Sequence, residues 1–381
     1  MSNMNPHPQA LSSRTRRSPL ARLSQQTRHM WQNASDRIFR SEELARAGKT
    51  PFQAIYGNAL VTLRYYAPAE DAMPTVQHRI PLVIVPPLAV NMLIYDLFPE
   101  RSLVSYLVAQ GFKVYMIDWG KPNLTHAHYD LSTYIQTLMP EFLAQVRQHS
   151  GEQQLSLHGW SLGGAFSLSY TALFKDRDIR NIVILGSPID THQSGYMGKI
   201  YQFIQRQSVH VRNHTSFRLH RLPSRWFHVP GISNTIGFKL TDPIGNLAGY
   251  WELLTKLGDR DYVITHATAS AFLDNMLAYP GGVMRDLILR YWIDNELSTG
   301  IVRFGEQTAN LKEVDSALLA VGGKNDNICT VDAVRPALDL VGSSDKEFVL
   351  APGGHMGIVS GSKASETIWI KTAEWLSQRS D

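Results

Sequence analysis

Cysteine is almost missing from this chain: Cys329 is the single thiol among 381 residues. An internal disulfide is therefore excluded, and the composition fits a reducing compartment. Long apolar runs are missing too. No stretch approaches the ~18 apolar residues that a membrane-spanning helix needs, and no secretory apolar core follows the N-terminal arginines. A soluble, cytoplasmic protein is expected. Zinc-type spacing and aromatic-basic repeats do not occur, so neither a metal nor nucleic-acid binding finds support. Acidic residues are scarce at the start, where Arg14, Arg16, Arg17, Arg22, Arg28, Arg37, Arg40 and Arg46 face only Asp36, Glu42 and Glu43. The whole chain carries a net charge of +4, so the basic excess belongs to this first segment.

What is present is enough for a large core, with 44% hydrophobic and 10% aromatic residues. Ser18 as a cap and Pro19 at the first helical position open a stretch in which Leu20, Leu23, Met30, Trp31, Ala34 and Ile38 recur at helical spacing. Two readings stand for it: a helix whose apolar stripe docks on the body, or a basic amphipathic helix for an anionic surface. Ala54 to Tyr66 alternates like a hairpin turning at Gly57-Asn58, and a polar loop follows to Arg79. Leu82 to Val85 is a buried-strand run ending at Pro86-Pro87.

Helix patterns at Leu103 to Gln110 and Leu131 to Gln148, stopped by Gly111 and Gly151, alternate with strands at Lys113 to Ile117, Leu155 to His158 and Ile182 to Leu185. Strands return at Ala317 to Val321 and Glu347 to Leu350, and a helix from about Ala364 to Leu376 closes the chain. Such alternation argues an α/β fold with a mostly parallel central sheet and helices on both faces. Between Asp190 and about Asn310 the strand rhythm lapses. Helix patterns at Leu247 to Leu257 and Thr268 to Leu277, and a break at Gly281-Gly282, suggest an inserted helical cap whose aromatics line an acyl-chain pocket or, for most of them, fill the cap's own core. The expected organisation is a basic tail and helix over 1–48, a core over 49–190, a cap over 191–310 and the rest of the core over 311–381.

The chemistry centres on Gly159-Trp160-Ser161-Leu162-Gly163-Gly164, between a strand pattern and an apolar helix pattern. A strand, a sharp turn and a helix make a nucleophile elbow, which lifts the Ser161 hydroxyl clear of the sheet and needs small neighbours for the close approach. Asp326 and His355 each follow a predicted strand, in the chain order Ser, Asp, His of the α/β-hydrolase fold. A serine hydroxyl needs an imidazole to take its proton, and the imidazole needs a carboxylate to fix its tautomer. His355 is the expected base and Asp326 its orienter. Oxyanion stabilisation is expected from the Leu162 N–H; after the two prolines the first donor is the Leu88 N–H, which is either the second oxyanion donor or part of a turn with no such duty. Of the rivals, His158 precedes the elbow on its strand, His126 and His128 lack a third ligand for a metal, and Cys329 has no elbow. A glycine-rich helix start with Ser161 as a buried cap is the non-catalytic alternative.

With these residues in place, the sequence resembles the poly(3-hydroxyalkanoate) synthases, most closely the short class III catalytic subunits. The resemblance runs from about Lys49 to the C-terminus and rests on residues 81–122, on the elbow with GGAFSLSY, on NIVILGSPID and on PGGHMGIVSG. It implies an α/β-hydrolase fold with a cap, an acyl-thioester substrate of coenzyme A with no other cofactor, a homodimer and an accessory subunit. A polymer granule joins the anionic surfaces open to the N-terminal segment. Two positions depart from the family pattern: its nucleophile is a cysteine where this chain has Ser161, and its catalytic aspartate is usually followed by histidine where this chain has Asn327. A serine holds an acyl chain as an oxyester with lower transfer potential than a thioester, and its hydroxyl ionises far above a free thiol near 8.5. Acyl transfer to water or to a simple acceptor is the leading expectation; polymer synthesis with an accessory subunit and a non-catalytic granule- or membrane-binding role are the alternatives.

Overall fold

Asn58 begins the fold by reversing the chain: its N–H donates to the Val61 carbonyl at 3.0 Å, while its side-chain oxygen accepts from the N–H groups of Leu60 and Val61. An asparagine suits that turn because its short side chain satisfies main-chain donors that the strands leave over. The turn joins strands β1 (Gln53–Gly57) and β2 (Thr62–Tyr66). The computed structural model describes residues 19–68, 74–215, 219–241 and 243–380. Arg14, Arg16, Arg17, Ser18 and part of the loop before Arg79 lie outside them, as do the side chains of Leu20, Arg22 and Leu23.

The remaining strands are β3 (Leu82–Val85), β4 (Val114–Asp118), β5 (Leu155–Trp160), β6 (Ile179–Leu185), β7 (Ile301–Phe304), β8 (Gln307–Asn310), β9 (Ala317–Gly323) and β10 (Lys346–Ala351). Eight of them form one sheet in the order β1-β2-β4-β3-β5-β6-β9-β10. β2 runs antiparallel to both neighbours, and every other pairing is parallel. Parallel strands buried on both faces need no polar alternation, which explains the continuous apolar runs of β3 and β6. Leu155 and Leu157 enter one core with Phe142, Val146 and Phe166, whereas Trp160 enters the other with Tyr95 and Trp369. Helices thus cover both faces. Two of them, Leu103–Ala109 and Met139–Ser150, end on glycines where the chain reverses, with Gly111 at φ +92° and Gly151 at φ +75°.

Four expectations about the elements need correction. The stretch expected to hold no strand contains the β7/β8 hairpin, whose Val302, Phe304 and Ala309 are buried in the core that holds the helix Leu162–Phe174. Four-residue strands are too short to show a period against aromatic-rich surroundings. The helix expected at Thr268 to Leu277 runs instead over Arg260–Asp274, capped by the Asp259 carboxylate on the N–H groups of Asp261 and Tyr262. Gly281-Gly282 opens a helix, Gly281–Asp286, because glycine there lets it approach the carbonyls of Ser224 and Tyr129.

The fourth correction concerns the helix Pro19–Phe39. Among the described side chains of its expected apolar stripe, Trp31 and Ile38 face away from the body, 74% and 71% exposed, as does Phe39 at 80%, while Met30 lies against Gly258. Docking is polar instead. Asn33 donates to the Leu257 carbonyl at 2.7 Å, Arg260 reaches Asp36 at 2.6 Å, and Arg37 meets His266.

Candidate active site

Parallel strands bring their C-terminal ends to one edge of the sheet, and the three residues singled out for chemistry all follow such ends. Ser161 comes after β5, Asp326 after β9 and His355 after β10. Ser161 sits at φ 54°, ψ −126°, a left-handed conformation that costs a non-glycine residue of order 1–3 kcal/mol and is held by its surroundings. Two of those are visible. The Ser161 N–H donates to the Leu185 carbonyl at 2.8 Å, and Gly163 lies so close to the Val85 carbonyl that any β-carbon would clash with it.

The structure brings the three side chains together. The His355 Nδ1–H donates to Asp326 Oδ2 at 2.7 Å, leaving Nε2 to accept from the Ser161 hydroxyl at 3.1 Å. Asp326 is fixed on its other oxygen as well, where Oδ1 accepts from the N–H groups of Ile328 at 2.9 Å and Cys329 at 2.7 Å. Both carboxylate oxygens therefore have donors, which fixes the orientation of the group that His355 meets. His355 is 7% and Asp326 3% exposed, which keeps the pair in surroundings of low polarity. Trp160 donates from Nε1 to the His355 carbonyl at 3.1 Å and leans its ring toward the imidazole, with centroids 5.2 Å apart.

Ser161 and His355 open on a cavity of about 160 Å³ lined also by Leu162, Tyr201, Phe238, Tyr279, Tyr291, Trp292 and Cys329. Tyr201 and Trp292 stack almost parallel at 5.4 Å on one wall. Low-polarity surroundings push the Tyr201, Tyr279 and Tyr291 phenols up to about 12, so all three stay neutral. Burial, then the Asp326 charge, raises the Cys329 thiol well above its ordinary value. A thiol held that way is a poor nucleophile.

The two expected oxyanion donors occupy different places. Leu162 lines the cavity, and its N–H, the first of the helix Leu162–Phe174, has no partner among the described residues. Leu88 shares a buried core cluster with Leu162 and is not among the residues lining the cavity, though its N–H also has no described partner. Ala89 next to it takes φ 63°, so the loop after β3 is itself held in an unusual shape. His158 lies on β5, fully buried, and burial lowers its imidazole to about 4. His126 bonds Asn123 within its own turn, and His128 meets the Thr125 carbonyl. No three potential metal ligands converge among the described residues.

One participant was not foreseen. Gly186, just past β6, has φ 53°, and a β-carbon there would sit 3.1 Å from Asp326 Oδ2 and 3.3 Å from His355 Nδ1. Only glycine combines that backbone with that clearance. Its sole signal was its position at a strand end before Ser187-Pro188, too common to single out.

Fold and site together define an α/β-hydrolase-fold protein with a serine, histidine and aspartate in hydrogen-bonded series. Residues 80–207 match the family described as alpha/beta hydrolase fold, and residues 28–107 match the N-terminal region of poly-beta-hydroxybutyrate polymerase (PhaC). The chain is a homologue of the poly(3-hydroxyalkanoate) polymerases. It is 26% identical to the poly(3-hydroxyalkanoate) polymerase subunit PhaC of Haloferax mediterranei over 91% of this chain and 68% of that one. With the PhaC subunit of Allochromatium vinosum it shares 28% identity over 88% of this chain and 91% of that one. Among solved structures, a soluble variant of monoglyceride lipase from Saccharomyces cerevisiae, in complex with a substrate analogue, superposes with a TM-score of 0.55 at 14% identity. That match covers 88% of this chain and 96% of the lipase, and shares the fold alone. No described helix is long and apolar enough to cross a membrane.

Proposed function

We propose that the protein is a serine-dependent acyl-transfer enzyme acting on (hydroxy)acyl thioesters of coenzyme A, or on related esters, through an acyl-Ser161 intermediate. The observation that carries this reading is the continuous hydrogen-bonded series from Asp326 through His355 to Ser161 at a small aromatic-lined cavity. The thioester part of the reading draws on the polymerases to which the chain is similar.

The steps follow from the geometry. As Ser161 Oγ bonds to the acyl carbon, His355 Nε2 takes its proton and Asp326 steadies the imidazolium. The carbonyl π electrons move to oxygen, which the Leu162 N–H meets from the helix start; the Leu88 N–H is its proposed second donor. When the tetrahedral centre collapses, the carbon–sulfur bond breaks and His355 gives its proton to the departing thiolate. Water or an alcohol then attacks the acyl-Ser161 ester with His355 again as base; the bond from the acyl carbon to Ser161 Oγ breaks, His355 returns the proton to that oxygen, and an acid or a new ester leaves. Asn327, beside Asp326, has no titratable side chain, so His355 is the imidazole for both halves of the cycle.

Mass spectrometry after mixing the protein with acyl-coenzyme A thioesters and aryl esters reports the acyl adduct, its site and the preferred chain together. Ser161→Ala should lose the adduct and about 10⁴-fold or more of turnover. Full activity in that variant would refute the assignment.

Polymer synthesis is the second reading, favoured by the names of the relatives. The cap exposes two apolar helix faces on which a second copy or an accessory subunit would dock: Ile232, Ile236 and Leu240 on Gly231–Thr241, and Leu247, Trp251 and Leu254 on Pro243–Thr255. Polymer formed from 3-hydroxyacyl-coenzyme A by the purified protein, alone or with such a subunit, decides for this reading. Release of free acid only decides for hydrolysis.

A further inference from the structure

The helix Pro19–Phe39 takes no part in the chemistry above, yet its build is specific. Its inward face is held by polar contacts around Met30 and Ala34: Asn33 meets the Leu257 carbonyl, Asp36 meets Arg260, and Arg37 meets His266 and Ser41, while Met30 lies against Gly258. Its outward face carries Trp31 and Ile38, a spacing of two helical turns, with Arg28 one turn before Trp31 and Phe39 at the helix end. These apolar side chains are more than two thirds exposed. A helix of ordinary sequence docks by its apolar stripe and shows its polar face to water. Here the arrangement is reversed, and the polar contacts hold it so.

Charge selects the occupant. Arg28 is exposed and has no ion pair among the described residues, and the same is true of Arg40 just past the helix. Asp36 is the only acidic residue from Pro19 to Phe39, and it is turned inward to Arg260. From Pro19 to Arg40 the outward face therefore combines an aromatic and aliphatic edge with positive charge that no acid of the helix cancels; the exposed acids Glu42 and Glu43 come only after Arg40. That is the composition of helices lying in the headgroup region of a bilayer, where tryptophan is favoured and arginine meets lipid phosphate. A neutral polyester surface would use the aromatic edge and leave the arginines without a function.

We propose that the helix Pro19–Phe39 seats the protein on an anionic lipid surface, with Trp31, Ile38 and Phe39 entering the interface and Arg28 and Arg40 meeting phosphate. Because the same helix is tied to the cap through Arg260 and His266, the seated protein presents its cap to that surface from a fixed angle. The proposal is independent of what Ser161 does.

The test is flotation of the full-length protein with vesicles of phosphatidylcholine, with and without about one third phosphatidylglycerol, and separately with polyester particles. Binding to the anionic vesicles is expected, weakened about tenfold or more in Trp31→Glu/Phe39→Glu and in Arg28→Glu/Arg40→Glu, and weakened by raising salt to about 0.5 M. Unchanged unfolding midpoints and unchanged labelling of Ser161 by a fluorophosphonate show that the variants are folded. Failure to float, equal binding to neutral vesicles, or binding to polyester alone would each overturn the proposal. So would a change in the sedimenting mass of Trp31→Glu/Phe39→Glu, which would assign the face to a second copy of the chain.

Discussion

Gly186 shows how little room the site leaves for one atom. Alanine there must hold φ near +53° and place its β-carbon against both members of the Asp326–His355 bond. Displacing either partner by a fraction of an ångström lengthens the series to Ser161, and misplacement on that scale costs about 10–100-fold in rate. Gly186→Ala should therefore lower kcat on an aryl ester by that amount with KM little changed; an unaltered kcat would mean that the neighbouring loop yields at no cost. His158 tests burial in a different way. In the fold its imidazole is lowered to about 4 by burial, whereas in the unfolded chain it titrates near 6.5. Below pH ~6.5 the unfolded chain binds a proton that the folded one refuses, so stability falls as pH drops toward 4 and is untouched above neutrality. Urea unfolding at pH 7 and pH 5 should show a loss of about 2 kcal/mol attributable to this residue, absent in His158→Gln. Equal losses in both proteins would place the acid sensitivity elsewhere.

Between elements, one side chain joins the helical segment proposed as a cap to the loop after β3. Asn91, in the loop after β3, donates from Nδ2 to the carbonyls of Phe272 and Asn275 at 2.9 Å each, at the end of the helix Arg260–Asp274. The Leu277 N–H returns to the Ala89 carbonyl at 2.9 Å, two residues before the cavity-lining Tyr279. Removing the amide leaves two carbonyls short of a donor and loosens one end of the cap. Asn91→Ala should speed amide exchange over residues 270–280 at least several-fold while the core strands exchange as before. Uniform exchange in both proteins would show that other contacts hold the cap. Elements also differed in how far they could be read beforehand. β3, β5 and β6 announced themselves because strands buried on both sides must be apolar throughout, and the hairpin at Asn58 because its turn chemistry is local. The β7/β8 hairpin and the start of the helix at Arg260 did not. Their apolar residues face a core assembled from remote helices, and no local period reports it.

At the scale of the molecule, the order of strand, helix and strand was enough to place Ser161, Asp326 and His355 at one edge of a sheet, since a parallel sheet gathers its C-terminal strand ends on one side. Leu162 followed from the elbow for the same reason. The first helix went the other way. Its period was plain, but a period does not say toward which side the stripe points, and the polar contacts of Asn33, Asp36 and Arg37 with residues more than two hundred positions away turned it outward. The amino-acid sequence by itself determined the residue types of the site, their order and their position after strands, because propensity, turn chemistry and burial period act over a few residues. Only the tertiary structure decided that His355 lies 3.1 Å from Ser161, that Gly186 must be glycine, and that Trp31 faces outward. Each of these is a distance or a direction between segments far apart in the chain, and packing alone sets it.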